Sequence, residues 1–275
     1  MKHWILALAG IAAVVTGAAN ASPEEDRQKL VAMYKQKYPN VKFEDYIHGA
    51  MIVSPDALQQ YESIMAFPPF LVDIDKGKKL WETPFKNGKT YADCFQNGGK
   101  MVAGNYPYYD EKLGKVVTFE GAVNLCREAN GEEPYDYGDR RTMGLLVAYA
   151  RTLSDGMKMN IKVDSPGALK KYEEGKKYYF SRHGQLNFAC ATCHIGNAGN
   201  TLRTEILSPM LGQATHWPVF RGGDSLNTLH MRYKRCEEQV RADPKKPGSE
   251  EYNNLEYFMS YMSNGLPMYS SIYRK

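Results

Sequence analysis

Five consecutive residues, Cys190-Ala191-Thr192-Cys193-His194, carry the most specific chemistry in the chain. In a C-x-x-C-H run the two thiols sit one turn apart, so both can add to the vinyl groups of a haem while the histidine ligates the iron. A thioredoxin-like dithiol has no need of the adjacent His194, and a zinc site needs a second ligand pair at the usual spacing, which the sequence does not offer. The run therefore reads as a site for one covalently bound haem c, with Cys190 and Cys193 as thioethers and His194 as a metal ligand.

A second stretch, Arg232-Tyr233-Lys234-Arg235-Cys236, places three cations close to a thiol along the chain. Cationic neighbours favour the thiolate, the form that binds iron or attacks sulfur. Candidates for the ligand opposite His194 are Met210, His216, His230, Met231, Cys236, Met259, Met262 and Met268. Methionine is the usual partner in electron carriers and raises the potential. Spacing alone leaves the choice open, and the basic company of Cys236 favours it.

These groups must be positioned by a scaffold, and the chain contains signs of a repeat. Gly77-Lys78-Lys79-Leu80-Trp81 precedes Cys94 at nearly the spacing at which Gly175-Lys176-Lys177-Tyr178-Tyr179 precedes Cys190. Cys126 follows the first unit as Cys236 follows the second. Apolar closing helices are predicted at Met143–Leu153, with Tyr149 and Gly156, and at Leu255–Met262, with Tyr261 and Gly265. The order helix, haem loop, distal ligand, closing helix is that of a small cytochrome c, here written twice. The first copy is incomplete, because Cys94-Phe95-Gln96-Asn97-Gly98 has one cysteine and no following histidine. Of five cysteines the haem takes two, and in an oxidising compartment the repeat selects Cys94 and Cys126 as a disulfide that replaces the missing haem as core filler, leaving Cys236 unpaired.

Helices are also predicted from Pro23 to Tyr38, capped by Ser22, and from Pro55 to Met65, ended by Pro68-Pro69; Val116–Phe119 reads as a minor strand. Asn160–Gly167 reads as a linker and helix cap. The expected fold is mainly α, with two cytochrome c-like domains: residues 22–163 without haem, and 164–275 with the haem and active site. Residues 1–21 read as a signal peptide, since Lys2 and His3 precede an apolar run from Trp4 to Val15 that ends in small residues. That run is shorter than the ~20 residues that span a bilayer, and no later stretch is long and apolar enough. A periplasmic protein is expected. Its formal charge falls from +4 to +3 once Lys2 is removed, and export excludes nucleic acid as a partner.

The C-x-x-C-H run, together with His216-Trp217-Pro218-Val219-Phe220-Arg221, Ser225-Leu226 and Arg232-Tyr233-Lys234-Arg235-Cys236-Glu237-Glu238-Gln239-Val240-Arg241, resembles the SoxA subunits of the SoxAX cytochromes. The resemblance implies an L-cysteine S-thiosulfotransferase, which oxidatively couples thiosulfate to a cysteine of the carrier protein SoxYZ. It also implies a heterodimer with the cytochrome SoxX and electrons leaving through haem to a cytochrome c acceptor. Carried over, His194 and Cys236 are the axial ligands, Cys236 is often a persulfide that accepts sulfur, and Arg232 is the active-site arginine; charge and proximity add Lys234 and Arg235 as catalytic candidates. The lone Cys94 marks the single-haem type. Competing activities are an electron-carrier cytochrome with His/Met ligation and a thiosulfate dehydrogenase that forms tetrathionate.

Overall fold

The structure is a computed structural model that describes residues 21–221 and 225–274. The signal-peptide reading of residues 1–21 falls almost wholly outside the described residues. In chain order the helices are α1 (Pro23–Lys37), α2 (Pro55–Ala66), α3 (Leu71–Glu82), α4 (Phe119–Ala129), α5 (Leu145–Thr152), α6 (Pro166–Phe180), α7 (Leu229–Gln239) and α8 (Glu250–Met262). Short strands are β1 (Tyr108–Asp110), β2 (Lys115–Val117), β3 (Thr201–Leu202), β4 (Glu205–Ile206), β5 (Val219–Arg221), β6 (Ser225–Asn227) and β7 (Ile272–Arg274). The fold is mainly α, as the periodicity predicts.

Six of the eight helices begin where a polar side chain caps them. Ser22 and Glu25 form a reciprocal capping box on α1, and Ser54, Thr118, Ser165, Thr228 and Ser249 each accept a backbone N–H at the start of a helix. The Thr118 cap explains why the strand predicted at Val116–Phe119 stops at Val117: the next residue already belongs to the start of α4.

Two helix crossings repeat. In the first half α3 packs on α5 so tightly that a Cβ added at Gly77 would lie 2.0 Å from Leu145 O; in the second α6 packs on α8 and a Cβ at Gly175 would lie 1.9 Å from Asn254 O. Glycine is required at both crossings because backbone meets backbone. The next turns match as well, with Tyr149 Cβ and Phe258 Cβ each 3.0 Å from the added atom. Leu145 and Asn254, Tyr149 and Phe258, and Gly156 and Gly265 are all separated by one and the same interval along the chain. The partner of Tyr149 is thus Phe258, not the Tyr261 expected from the sequence. Each half also carries an antiparallel hairpin, β1–β2 or β5–β6, that runs into a threonine-capped helix, α4 or α7. Strand β7 extends the second hairpin in parallel with β5.

Chain order and packing diverge at the N-terminus. Helix α1, assigned by the expected boundaries to residues 22–163, lies on the second half. Asp26 meets Tyr172 and Lys176 at 3.0 and 2.5 Å, Arg27 reaches Asn264 O, and Tyr38 donates to Ala198 O at 2.7 Å. The two halves share one continuous apolar core. Residues 161–164, at the expected boundary, run along the end of α8, where Asn264 pairs with both the N–H and the carbonyl of Ile161.

Candidate haem and thiol site

The C-x-x-C-H run leaves α6 through a short loop and tightens into a π-type turn at Thr192–Gly196. Thr192 closes the turn by exchanging hydrogen bonds with Ala189: its N–H donates to Ala189 O, and its Oγ1 accepts from Ala189 N–H, both at 3.0 Å. Cys190 and Cys193 are free thiols, partly buried.

The ring of His194 is oriented from behind. Its Nδ1 lies 2.9 Å from Ser208 O and 3.3 Å from Ser208 Oγ, so Nδ1–H donates to the carbonyl and Nε2 keeps its lone pair. Burial pushes the imidazole down to about 4 despite the Ser208 bond, and Arg232 adds to the shift, so the ring is neutral at physiological pH. The backbone of the turn is pinned by Tyr34 of α1, whose hydroxyl donates to His194 O and accepts from Met210 N–H at 2.9 Å; that N–H also reaches His194 O at 3.1 Å.

Helix α7 brings up the second group. Leu229, Tyr233 and Glu237 form its buried face. Arg232 and Cys236, one turn apart, are half-buried on a common flank, whereas Lys234 and Arg235 are exposed and Arg235 faces Glu238 at 3.8 Å. Of the three cations next to Cys236 in sequence, only Arg232 shares its flank. Arg232 acts on both His194 and Arg221, and Cys236 acts on Cys190, Cys193 and Arg221. Burial and the neighbouring Arg232 hold Arg221 below the usual guanidinium range, opposed by Glu205 and Cys236. Two guanidinium groups, a thiol and the C-x-x-C-H turn therefore lie within electrostatic reach of one another. Arg221 gave no signal of its own in the sequence; β5 places it.

Glu237 was likewise not singled out from the sequence. It fixes α7 to its neighbours by accepting from Tyr178 OH, from Tyr252 OH at 2.8 Å and from Lys245 N–H at 3.2 Å.

Comparison with known proteins agrees with this geometry. A relative from Allochromatium vinosum, an L-cysteine S-thiosulfotransferase subunit SoxA, is 44% identical over 96% of this chain and 94% of its own. The chain belongs to the SoxA family. The SoxA of Chlorobaculum tepidum is also 44% identical, over 88% of this chain and 85% of its own. The crystal structure of SoxXA from P. pantotrophus superposes with a TM-score of 0.71 at 30% identity, covering 79% of this chain and 84% of that one. The family described as "SoxA/TsdA, cytochrome c domain" matches residues 76–159, the half that lacks the C-x-x-C-H run. That half is a cytochrome c domain by sequence as well as by helix packing.

In this SoxA-family chain the first half has no C-x-x-C-H run. Cys94 and Cys126 form a disulfide with Cα atoms 5.8 Å apart, and in the same half Trp81, Tyr91, Phe95 and Phe119 pack on one another with neighbouring ring centroids 5.3–5.4 Å apart. The second half has the donor set a haem c requires: two unbonded thiols on one turn and a neutral imidazole with Nε2 free. Two of the seven other candidates for the ligand opposite His194 have their donor atoms engaged, and the rest are buried or half-buried elsewhere. Met259 Sδ accepts from Tyr233 OH at 3.1 Å, Met210 is buried with its backbone on His194 O, and Met262 and Met268 are buried in the core. His230 Nδ1 accepts from Gly248 N–H at 2.9 Å and its Nε2 lies 3.1 Å from Glu256. His216 is buried beside Trp217, and Met231 is half-buried on α7. No helix among the described residues is long and apolar enough to cross a membrane.

Proposed function

We propose that this chain is the thiosulfate-coupling subunit of an L-cysteine S-thiosulfotransferase. Cys190, Cys193 and His194 would hold one haem c, with Cys236 as a further ligand to its iron and as the sulfur-accepting group. The observation that carries the reading is that Cys236, Arg232, Arg221 and the C-x-x-C-H turn lie within electrostatic reach of one another.

Thiosulfate is a dianion, and paired guanidinium groups hold such an oxyanion through charge-assisted hydrogen bonds. Arg221 and Arg232, which act on each other in a partly buried site, orient its sulfonate end and leave the outer sulfur toward Cys236. Joining a carrier thiolate to thiosulfate forms one S–S bond and releases two electrons. The bound haem supplies a one-electron acceptor, so a second centre is required, and a SoxX cytochrome, the partner in the SoxXA structure, is the reading for it. A cysteine of SoxYZ is the carrier substrate, and a soluble cytochrome c takes the electrons onward. Lys234 and Arg235, exposed on α7 near this site, are assigned to guiding the anionic substrate toward it rather than to contact with the reacting sulfur. Residues 1–21 direct export to the periplasm, where haem attachment and the Cys94–Cys126 bond belong.

Cys236→Ser in the haem-loaded complex tests the assignment. Turnover with thiosulfate and SoxYZ is expected to vanish and the haem spectrum to change. A His/Met electron carrier would keep both its spectrum and its electron transfer. A tetrathionate-forming enzyme would oxidise thiosulfate without SoxYZ.

A further inference from the structure

His194 finds the acceptor for its ring N–H in a segment that the chain reaches only after the β3–β4 hairpin. Ser208 O lies 2.9 Å from Nδ1, and Gln213 Nε2 donates to Ser208 Oγ at 3.1 Å. Where that carbonyl sits depends on what holds residues 208–212, and three residues from the start of the chain do so. Gly212 lies so close to residue 46 that an added Cβ would stand 2.3 Å from Tyr46 O, and a Cβ added at Gly49 would lie 3.6 Å from Ser208 Cβ. The Tyr34 hydroxyl accepts the Met210 N–H at 2.9 Å. Of the three, Tyr34 also reaches the C-x-x-C-H turn itself, by donating to His194 O.

One hydroxyl thus ties residue 194 to residue 210, two residues from the carbonyl that receives the ring N–H. The Tyr34 side chain is wholly buried. Burial pushes its phenol well up, Tyr38 and Tyr46 add to the shift and the Met210 bond opposes it, so the hydroxyl keeps its proton and serves as donor and acceptor at once. The Met210 N–H is shared with His194 O at 3.1 Å, which closes a three-membered hydrogen-bond ring. The next turn of α1 grips the same loop farther along: Lys37 Nζ and Tyr38 OH donate to Ala198 O at 2.6 and 2.7 Å. Tyr38 stacks on Tyr34 with ring centroids 6.3 Å apart, but its hydroxyl bond goes to residue 198 and not to the histidine. The two tyrosines share a helix and an environment and differ in what they hold.

We propose that Tyr34 is a positioning residue: by holding His194 O and the Met210 N–H together it keeps Ser208 O on the Nδ1–H of His194, and so sets how strongly the imidazole donates to a bound iron. The inference rests on the haem reading of Cys190, Cys193 and His194. An imidazole whose Nδ1–H is held by a carbonyl is the more basic ligand and favours the oxidised metal, so loosening that bond raises the reduction potential. The residue in control lies on α1, outside the half that carries the C-x-x-C-H run in chain order, and touches the site only through backbone.

Potentiometric titration of the haem-loaded parent, Tyr34→Phe and Tyr38→Phe tests it. Tyr34→Phe is expected to shift the midpoint potential upward with the absorption spectrum of the ligand set unchanged, and Tyr38→Phe to leave the potential where it is. The Nδ1–H of His194, followed by NMR in D2O, is expected to exchange about fivefold faster in Tyr34→Phe, the equivalent of one lost hydrogen bond, and at the parent rate in Tyr38→Phe. A parent potential in haem-loaded Tyr34→Phe overturns the inference, and so does an equal shift in both variants, which would assign the effect to a loosened α1. Tyr34→4-aminophenylalanine keeps a weaker donor in the same place and is expected to fall between parent and Tyr34→Phe. Where Tyr34→Phe does not load haem this variant decides alone, an upward shift supporting the role and a parent potential rejecting it. A parent protein that takes up no covalent haem at Cys190 and Cys193 rejects the haem reading itself; a normally loaded parent with an unshifted Tyr34→Phe rejects only the role of Tyr34.

Discussion

The two halves of the molecule are built on one plan and end in opposite states. In the first, Cys126 on α4 bonds to Cys94, and Trp81, Phe95 and Phe119 pack on one another in the same half. In the second, Cys236 occupies the equivalent place on α7 and remains a free thiol beside Cys190 and Cys193. Even the residue after each cysteine does equivalent work with opposite charge. Arg127 ties α4 to Glu133 O and Tyr91 OH and stacks on Tyr135 at 3.6 Å, while Glu237 ties α7 to Tyr178 and Tyr252. The helix crossing, the capped helix and the hairpin thus make the scaffold, and chemistry is decided by what occupies the space between two cysteine positions. In the first half a disulfide joins the two positions; in the second they remain free thiols beside an imidazole.

The largest expected effect separates these states. Replacing Cys94 and Cys126 together by alanine opens a loop spanning 32 residues and is expected to cost about 3–4 kcal/mol of stability on the chain-entropy account. Denaturant unfolding measures it, and the haem spectrum and turnover should stay as in the parent. A changed spectrum would show that the first half reaches into the haem site and would break the comparison. Gly77→Ala and Gly175→Ala attack the shared crossing instead. Each is expected to lose about 3 kcal/mol, at the upper end for overpacking, because the new methyl group meets a carbonyl oxygen rather than a flexible side chain. Only Gly175→Ala should also reduce haem incorporation, measured as the haem-to-protein absorbance ratio.

Several features of this plan are legible in the sequence, because they depend on residue type. A covalent haem needs two cysteines and a histidine at fixed spacing, and close helix crossings need glycine, so the C-x-x-C-H run and the Gly77 and Gly175 units stand out. What is not legible depends on direction. Lys234 and Arg235 are Cys236's neighbours along the chain, but a helix turns them away from it. Arg221 is far from Cys236 in sequence and is delivered by a hairpin. The attachment of α1 to the second half rests on Tyr34, Asp26 and Tyr38 finding partners more than half the chain away, and no local pattern encodes that.

A smaller effect distinguishes the capped helices. Thr118 accepts from Gly121 N–H at 3.0 Å, and Thr228 from Met231 N–H at 3.4 Å. Thr118→Ala and Thr228→Ala are each expected to cost about 1 kcal/mol in unfolding experiments. Since α7 carries Arg232 and Cys236, only Thr228→Ala should raise the KM for thiosulfate. Equal kinetics in both variants would show that α7 holds its site residues without its cap, through Glu237 alone.

The smallest effect lies after the closing helices, where Asp155 precedes Gly156 in the first half as Asn264 precedes Gly265 in the second. Both side chains accept a backbone N–H through Oδ1, Asp155 from Ser270 and Asn264 from Ile161. Burial pushes the Asp155 carboxyl up to about 6, against the Ser270 bonds and Arg151 that favour its charge. A carboxyl raised above its unfolded value binds its proton more tightly in the folded state, so its contribution is fully present below about 4, falls as pH rises, and is lost above about 6. Asp155→Asn keeps the acceptor and removes the charge. It should therefore raise stability at pH 7.5 and leave it unchanged near pH 4. Because Asp155 is open to solvent on one side, the gain is expected to be no more than about 1 kcal/mol. Thermal unfolding of parent and variant across this range measures the difference. A gain of the same size at both pH values would assign it to packing, and the asparagine of the second half would then owe nothing to charge.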